Sequence, residues 1–386
     1  MTISFKRSTS WLALAILSVV ALFSVRAYAQ EVPCPFNDDS IIFYSSPTSL
    51  AKAGCAMNDK YSFQDELAVV NKLLDRADAE IAKHYNDEDF PKAQFDYYQK
   101  LFSEATGLNS FTRAALVSYF KYVDAVVVAA ELGDSFKETK DKGAEPLSVT
   151  IVFNANPSAL DARNYLSDDK RFDLKVTKEE ENYMAGKATI EYDGDKKATV
   201  FFSGVKFKAG DADKYAVIFG SRANTEKKAE RLLKSGEFFA KRLAEPGLVD
   251  ERIFKEKAFK ILSEAIVETR NIEDDGIKSA IKIVDSLKAA RFVVNADADG
   301  FKSELCVETT DEETTQNYVD LANGGLVVLK LAATNKDELK PEEKLGLELV
   351  NSIKVVRDGV KAKATGGVSV EQLKKLFQIV KEKCDD

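Results

Sequence analysis

Apolar residues recur along this chain with two different periods, and the switch between them divides it. From Ser62 to about Leu132 the spacing is helical. Leu67, Val70, Leu73, Leu74, Ala77 and Ile81 fall on one face with charges between them, and Phe95, Tyr98, Leu101 and Phe102 make a second stripe. The tract Thr112–Leu132 is apolar on nearly every side, which predicts a buried helix; Lys121 and Asp124 interrupt it and argue against a membrane span. The charged stretch from Asp134 to Glu145, punctuated by Gly143 and Pro146, reads as a linker.

Beyond it the pattern shortens to strands. Leu147–Phe153 is rich in β-branched residues. Lys187–Tyr192 and Lys196–Phe202 flank Asp193-Gly194-Asp195, a hairpin signal because Asp and Gly tolerate the positive φ such turns need. Tyr215–Phe219 is a further strand, followed by a charged helix over Thr225–Leu243. An amphipathic helix follows Pro246, with Ile253, Phe254, Ala258, Ile261, Leu262, Ala265 and Ile266 on one face; Ile277, Ile281, Val284 and Leu287 mark another. Two compact units close the chain. Arg291–Ala296 and Phe301–Glu308 form a hairpin around Asp297–Gly300, and a helix starts after Thr310 with Glu313 completing a capping box. Ile353–Val356 and Val360–Thr365 form another around Arg357–Gly359, with its helix started by Ser369 and Gln372.

These elements predict an α+β fold in which antiparallel hairpins alternate with helices covering them. The expected divisions are residues 1–29, a mainly helical region 30–140, an α+β unit 146–246, and an α+β unit 247–386 with two hairpin–helix modules. Strand–turn–strand–capped helix occurs twice, and more loosely at 187–236, which suggests two related halves.

Residues 1–29 read as a cleavable export signal. Lys6-Arg7 precede an apolar run, Trp11–Val25, and Ala27-Tyr28-Ala29 supply a small-x-small cleavage motif. The run is shorter than the roughly 20 residues a spanning helix requires. A periplasmic or secreted protein with no membrane span after cleavage is therefore expected. Cleavage removes three positive charges and the only tryptophan, Trp11, moving the formal charge from −8 to −11. An acidic chain without a basic–aromatic cluster disfavours nucleic acid. In an oxidising compartment Cys34, Cys55, Cys306 and Cys384 read as disulfides, with Cys34–Cys55 and Cys306–Cys384 favoured by their distribution. A zinc site lacks both Cys-x₂₋₄-Cys spacing and histidines, since His84 is the only one.

Asn295-x-Asp297-x-Asp299-Gly300 resembles the opening of a calcium loop, but Cys306 stands where the bidentate Glu belongs, so Asn295, Asp297 and Asp299 are a weak calcium candidate against a plain hairpin. Phe219-Gly220-Ser221-Arg222 lacks the further glycines of a dinucleotide fingerprint and reads as a strand-to-helix connection capped by Asn224 or Thr225. His84 lies near the charged end of a helix, where an imidazole ordinarily meets the helix C-terminus or solvent. Acidic pairs such as Glu179-Glu180-Glu181, Asp274-Asp275, Glu312-Glu313 and Glu342-Glu343 serve helix starts as readily as catalysis. No catalytic or cofactor residue emerges. The expected function is a non-enzymatic binding or interaction protein of the envelope or exterior, engaging an unknown protein or small ligand; the alternative is a carboxylate-dependent hydrolase.

Overall fold

Leu147–Phe153 forms a strand with the boundaries its β-branched pattern predicts, and the rest of the sheet assembles around such segments. The structure, a computed structural model, describes residues 35–84, 92–143, 147–154, 172–192, 196–269, 275–334 and 339–385. The expected export signal, Cys34, and the hairpin turn at 193–195 lie outside the described residues.

The first half runs β1 (Ile41–Ser45), α1 (Pro47–Tyr61), α2 (Gln64–His84), α3 (Lys92–Thr106), α4 (Phe111–Tyr122), β2 (Val123–Ala130), α5 (Phe136–Lys142) and β3 (Leu147–Phe153). It continues through β4 (Phe172–Glu180), β5 (Tyr183–Tyr192), β6 (Lys196–Ala209), β7 (Ala212–Gly220), α6 (Arg222–Lys234) and α7 (Glu237–Ala244). The second half is β8 (Leu248–Lys255), α8 (Glu256–Thr269), α9 (Asp275–Asp285), β9 (Leu287–Asp297), β10 (Gly300–Thr309), α10 (Glu312–Thr334), α11 (Pro341–Ser352), β11 (Lys354–Asp358), β12 (Lys361–Ser369) and α12 (Val370–Asp385). The fold is α+β.

Among the described residues, twelve strands join one antiparallel sheet in the order β11-β12-β10-β9-β8-β1-β2-β3-β7-β6-β5-β4. The halves meet where β1 pairs with β8, Phe43 opposite Arg252. Stepping outward from that seam, Val128 and Phe292 hold matching places, then Val149 and Leu305, then Phe219 and Ala364. Each half makes a helical excursion after its seam strand and ends on a hairpin followed by a helix. β4 and β5 extend the first half alone.

Several segments differ from their expected form. The apolar tract Thr112–Leu132 is helical only to Tyr122; from Val123 it is β2, with one face buried and the other half-buried, and its Val- and Ala-rich sequence has no alternation to separate strand from helix. Leu248–Lys255 is likewise a strand preceding α8, not the start of a long helix. The expected linker contains α5, capped by Ser135. The charged helix after β7 is two helices broken at Ser235-Gly236, and its cap is Ser221, whose hydroxyl accepts the Asn224 N–H. Asp311, rather than Thr310, receives the Thr314 N–H at the start of α10. The capping box of α12 is present: the Ser369 N–H reaches Gln372 Oε1 at 2.9 Å and the Gln372 N–H reaches Ser369 Oγ at 3.3 Å.

Two cores occupy opposite faces of the sheet. On the first face, Tyr44, Val127, Val152, Val205 and Ile218 pack beneath Leu232 of α6 and Phe238 and Phe239 of α7. Phe36, from the segment before β1, meets both phenylalanines edge-to-face, its centroid 5.0 Å from Phe238. Such pairs add about 0.5–1.5 kcal/mol each beyond area burial. On the second face, Phe292, Val294 and Val249 pack beneath Ala53 and Met57 of α1 and Val370 of α12.

Candidate functional site

Because α6 lies over β6 and β7, it leaves the outer strands of the first face uncovered, and a cleft opens beside its first turn. Residues two apart along a strand share a face. Lys187 stands opposite Lys175 of β4 and Phe201 of β6, and Phe201 stands opposite Gly220 of β7. That row, with Thr199 and Ala185 above and below it, floors the cleft. Arg222, Thr225 and Glu226 of α6 form its wall, and its volume is 340 Å³. Thr225 is buried, its hydroxyl donating 3.0 Å to the Arg222 carbonyl, which fixes the wall. The Arg222 guanidinium reaches Glu226 at 2.9 Å, and this hydrogen bond raises its pKa further.

A second feature is apolar. The N-terminal half of α10 packs through Thr315 and Val319, both buried. From Leu321 to Leu331 the helix is largely exposed. Leu321, Val327, Val328, Leu329 and Leu331 are 64%, 55%, 65%, 56% and 56% exposed. At 3.6 residues per turn these positions are spread around the helix rather than along one stripe. A Cβ on Gly324 or Gly325 would meet nothing within 4 Å. Among the described residues no helix is long and apolar enough to cross a membrane.

Buried charge is concentrated on the first face near the seam. Glu251 of β8 is 1% exposed and has a guanidinium on each oxygen: Arg242 Nε at 2.5 Å and Arg291 Nε at 2.6 Å. Arg242 also lies 3.7 Å above the Phe238 ring. Asp39 and Lys228 form a second buried pair. Burial raises the Asp39 pKa and lowers that of Lys228, against their mutual attraction. Burial likewise raises Asp250, opposed by Arg252. Asp39 and Asp250 are both engaged by cations, and neither lines the cleft.

The residues singled out from sequence fall elsewhere. Asn295 and Asp297 end β9, and Asp299 sits in the turn before Gly300, whose φ of +129° favours glycine. Asp297 accepts the Asp299 N–H at 2.8 Å and Lys302 Nζ at 2.5 Å; Asp299 accepts Lys60 Nζ at 2.5 Å and Tyr61 Oη at 3.0 Å. Those cations hold both carboxyls below their ordinary pKa, and a calcium ion there would have to displace two lysines. Among the described residues no group of three or more His, Cys, Asp or Glu side chains could hold a metal. His84 is the last residue of α2. Glu312 and Glu313 begin α10 and Glu342 and Glu343 begin α11, the positions that complement a helix dipole. The expected disulfides are not seen: Cys55 is an exposed free thiol and Cys306 a buried one, and the side chain of Cys384 lies outside the described residues. Cys306 also shares the face of Arg291 and Glu251, opposite the one α12 covers, and burial raises its pKa.

Lys175, Lys187, Phe201 and Arg222 were not apparent from sequence as a site. The usable signal is the alternation Phe172-Asp173-Leu174-Lys175-Val176-Thr177, which marks a strand with lysine on its polar face.

These features define an α+β protein with a basic cleft and an apolar helix in solvent. No family model matches the chain, and no curated protein matches it. Its fold bears a loose likeness to solved structures of TP0453. Crystal form III gives a TM-score of 0.37 at 11% identity over 92% of this chain and 100% of that one. Crystal form IV gives 0.34 at 12% identity, over 89% and 92%.

Proposed function

We propose that the chain is an exported binding protein that engages a partner protein through the C-terminal half of α10. The exposed tract Leu321–Leu331 carries this reading. Monomeric proteins rarely leave contiguous apolar area of this kind uncovered unless it is an interaction surface. A protein partner suits it better than lipid because the chain is acidic, repelling anionic headgroups, and the apolar tract is far shorter than the roughly 20 residues that cross a bilayer. The charge, apolar and small-residue order of residues 1–29 supports export to the periplasm or the cell exterior.

A photo-crosslinking residue at Val328, expressed in the native cell, is expected to yield one discrete protein adduct. The same residue at exposed Lys344 should not yield it, and Leu329→Asp with Leu331→Asp should abolish it. A lipid adduct, a dimer of this chain, no adduct, or an adduct indifferent to the aspartates would overturn the proposal.

A further inference from the structure

Lys175 and Lys187 face each other directly across β4 and β5. Like charges in directly opposed cross-strand positions destabilise a sheet. Neither lysine has a carboxylate within salt-bridge distance among the described residues. Two positive charges therefore stand together, with no ion-pair partner among the described residues, on a chain whose formal charge is −8. Arg222 brings a third guanidinium or ammonium group to the same cleft, and Glu226 offsets only that one. The local balance is two positive charges over a floor that is partly aromatic.

We infer that this cleft binds a small organic anion with a planar apolar body, its charge held between Lys175 and Lys187 and its body laid on Phe201. The cleft volume of 340 Å³ lies at the small end of the usual range for ligand sites. It corresponds to about eleven water volumes, which suits a molecule of roughly a dozen heavy atoms. Each part of the lining then has a use. The lysines supply charge-assisted hydrogen bonds and gain relief from their mutual repulsion. Phe201 supplies flat apolar area. Gly186, on the opposite face from Lys187, belongs to the strand packing beneath the cleft: a Cβ there would fall 2.5 Å from the Lys175 carbonyl oxygen and 2.6 Å from the Phe202 ring. The Arg222–Glu226 pair, already satisfied, shapes the wall without taking the anion's place.

Titration calorimetry with 2-naphthoate tests this on the whole chain. Saturable 1:1 binding is expected, with 2-naphthamide, the neutral counterpart, at least tenfold weaker. Inorganic phosphate, an anion without the body, should also be at least tenfold weaker. Lys175→Gln with Lys187→Gln should reduce naphthoate affinity at least tenfold while leaving the circular dichroism spectrum unchanged. Phe201→Ala should reduce it without altering the preference for naphthoate over naphthamide. No naphthoate binding at millimolar concentration, equal binding of the amide or of phosphate, or full affinity in the lysine variant would overturn the assignment. The comparison of naphthoate with naphthamide uses the native protein and does not depend on any variant folding.

Discussion

Replacing Lys228 with methionine removes one half of the most deeply buried ion pair among the described residues. Lys228 Nζ lies 2.8 and 2.6 Å from the two Asp39 oxygens, and the side chains are 4% and 1% exposed. Desolvation raises the Asp39 pKa and lowers that of Lys228, so for both groups burial outweighs the attraction. Removing one partner of such a pair typically costs about 3–5 kcal/mol, because the other is left as an uncompensated buried charge. The sign of the pH dependence follows from the raised Asp39 pKa. A carboxyl that binds its proton more tightly in the folded state contributes stability as pH falls through its folded pKa, and that contribution is lost as pH rises. Lys228→Met raises the folded pKa further by removing the cation. The variant should therefore be least stable at pH 8 and recover by up to about 1.4 kcal/mol per pH unit on acidification towards pH 5. The double variant Asp39→Leu, Lys228→Met leaves no charge behind and should match the native protein or exceed it, by about 1–4 kcal/mol. Urea unfolding followed by circular dichroism between pH 5 and 8 measures all three. A single variant that loses under about 1 kcal/mol with no pH slope, or a double variant as unstable as the single, refutes the reasoning.

Glycine changes should split by position. Gly324→Ala and Gly325→Ala, in a solvent-surrounded helix, should each stabilise by about 0.5–1 kcal/mol in thermal melts. Gly236→Ala should cost about 3 kcal/mol or more, because its Cβ would fall 1.9 Å from the Lys208 carbonyl oxygen and 2.7 Å from the Phe207 ring. At the centre of the first core, Thr150 is fully buried and its hydroxyl has no hydrogen-bond partner. Thr150→Val should gain about 1 kcal/mol in the same melts; a loss would mean the hydroxyl is satisfied.

The sequence exposed the fold best where one face of an element meets solvent. The hairpins around Asp297–Gly300 and Arg357–Gly359, and the Ser369–Gln372 capping box, combine local turn and cap chemistry with visible alternation. It was misleading at the middle of the sheet. Val123–Ala130 lies next to the seam with neighbours on both sides, so its Val- and Ala-rich run carries no period that excludes a helix, and in Leu248–Lys255 the consecutive charges Asp250-Glu251-Arg252 hide the alternation of a strand. The seam itself, pairing Phe43 with Arg252, depends on contacts across more than half the chain, which no local pattern encodes. The cleft was hidden for a related reason: Lys175 and Lys187 become a site only when register sets them opposite one another and α6 stops short of covering them.

An open sheet of twelve strands has two edges, each a row of unpaired backbone donors and acceptors on which another copy could template itself. At one end β11 offers only five residues, three of them Lys354, Arg357 and Asp358, with α10 packed against it. At the other, β4 carries Asp173, Lys175, Lys178, Glu179 and Glu180 and is bent by an irregularity between Val176 and Lys178. Shortness at one edge and charge with a kink at the other oppose growth by strand addition. Lys175, one of the two lysines that face the cleft, thus has a second role, as one of the gatekeepers that oppose addition of a further strand to β4.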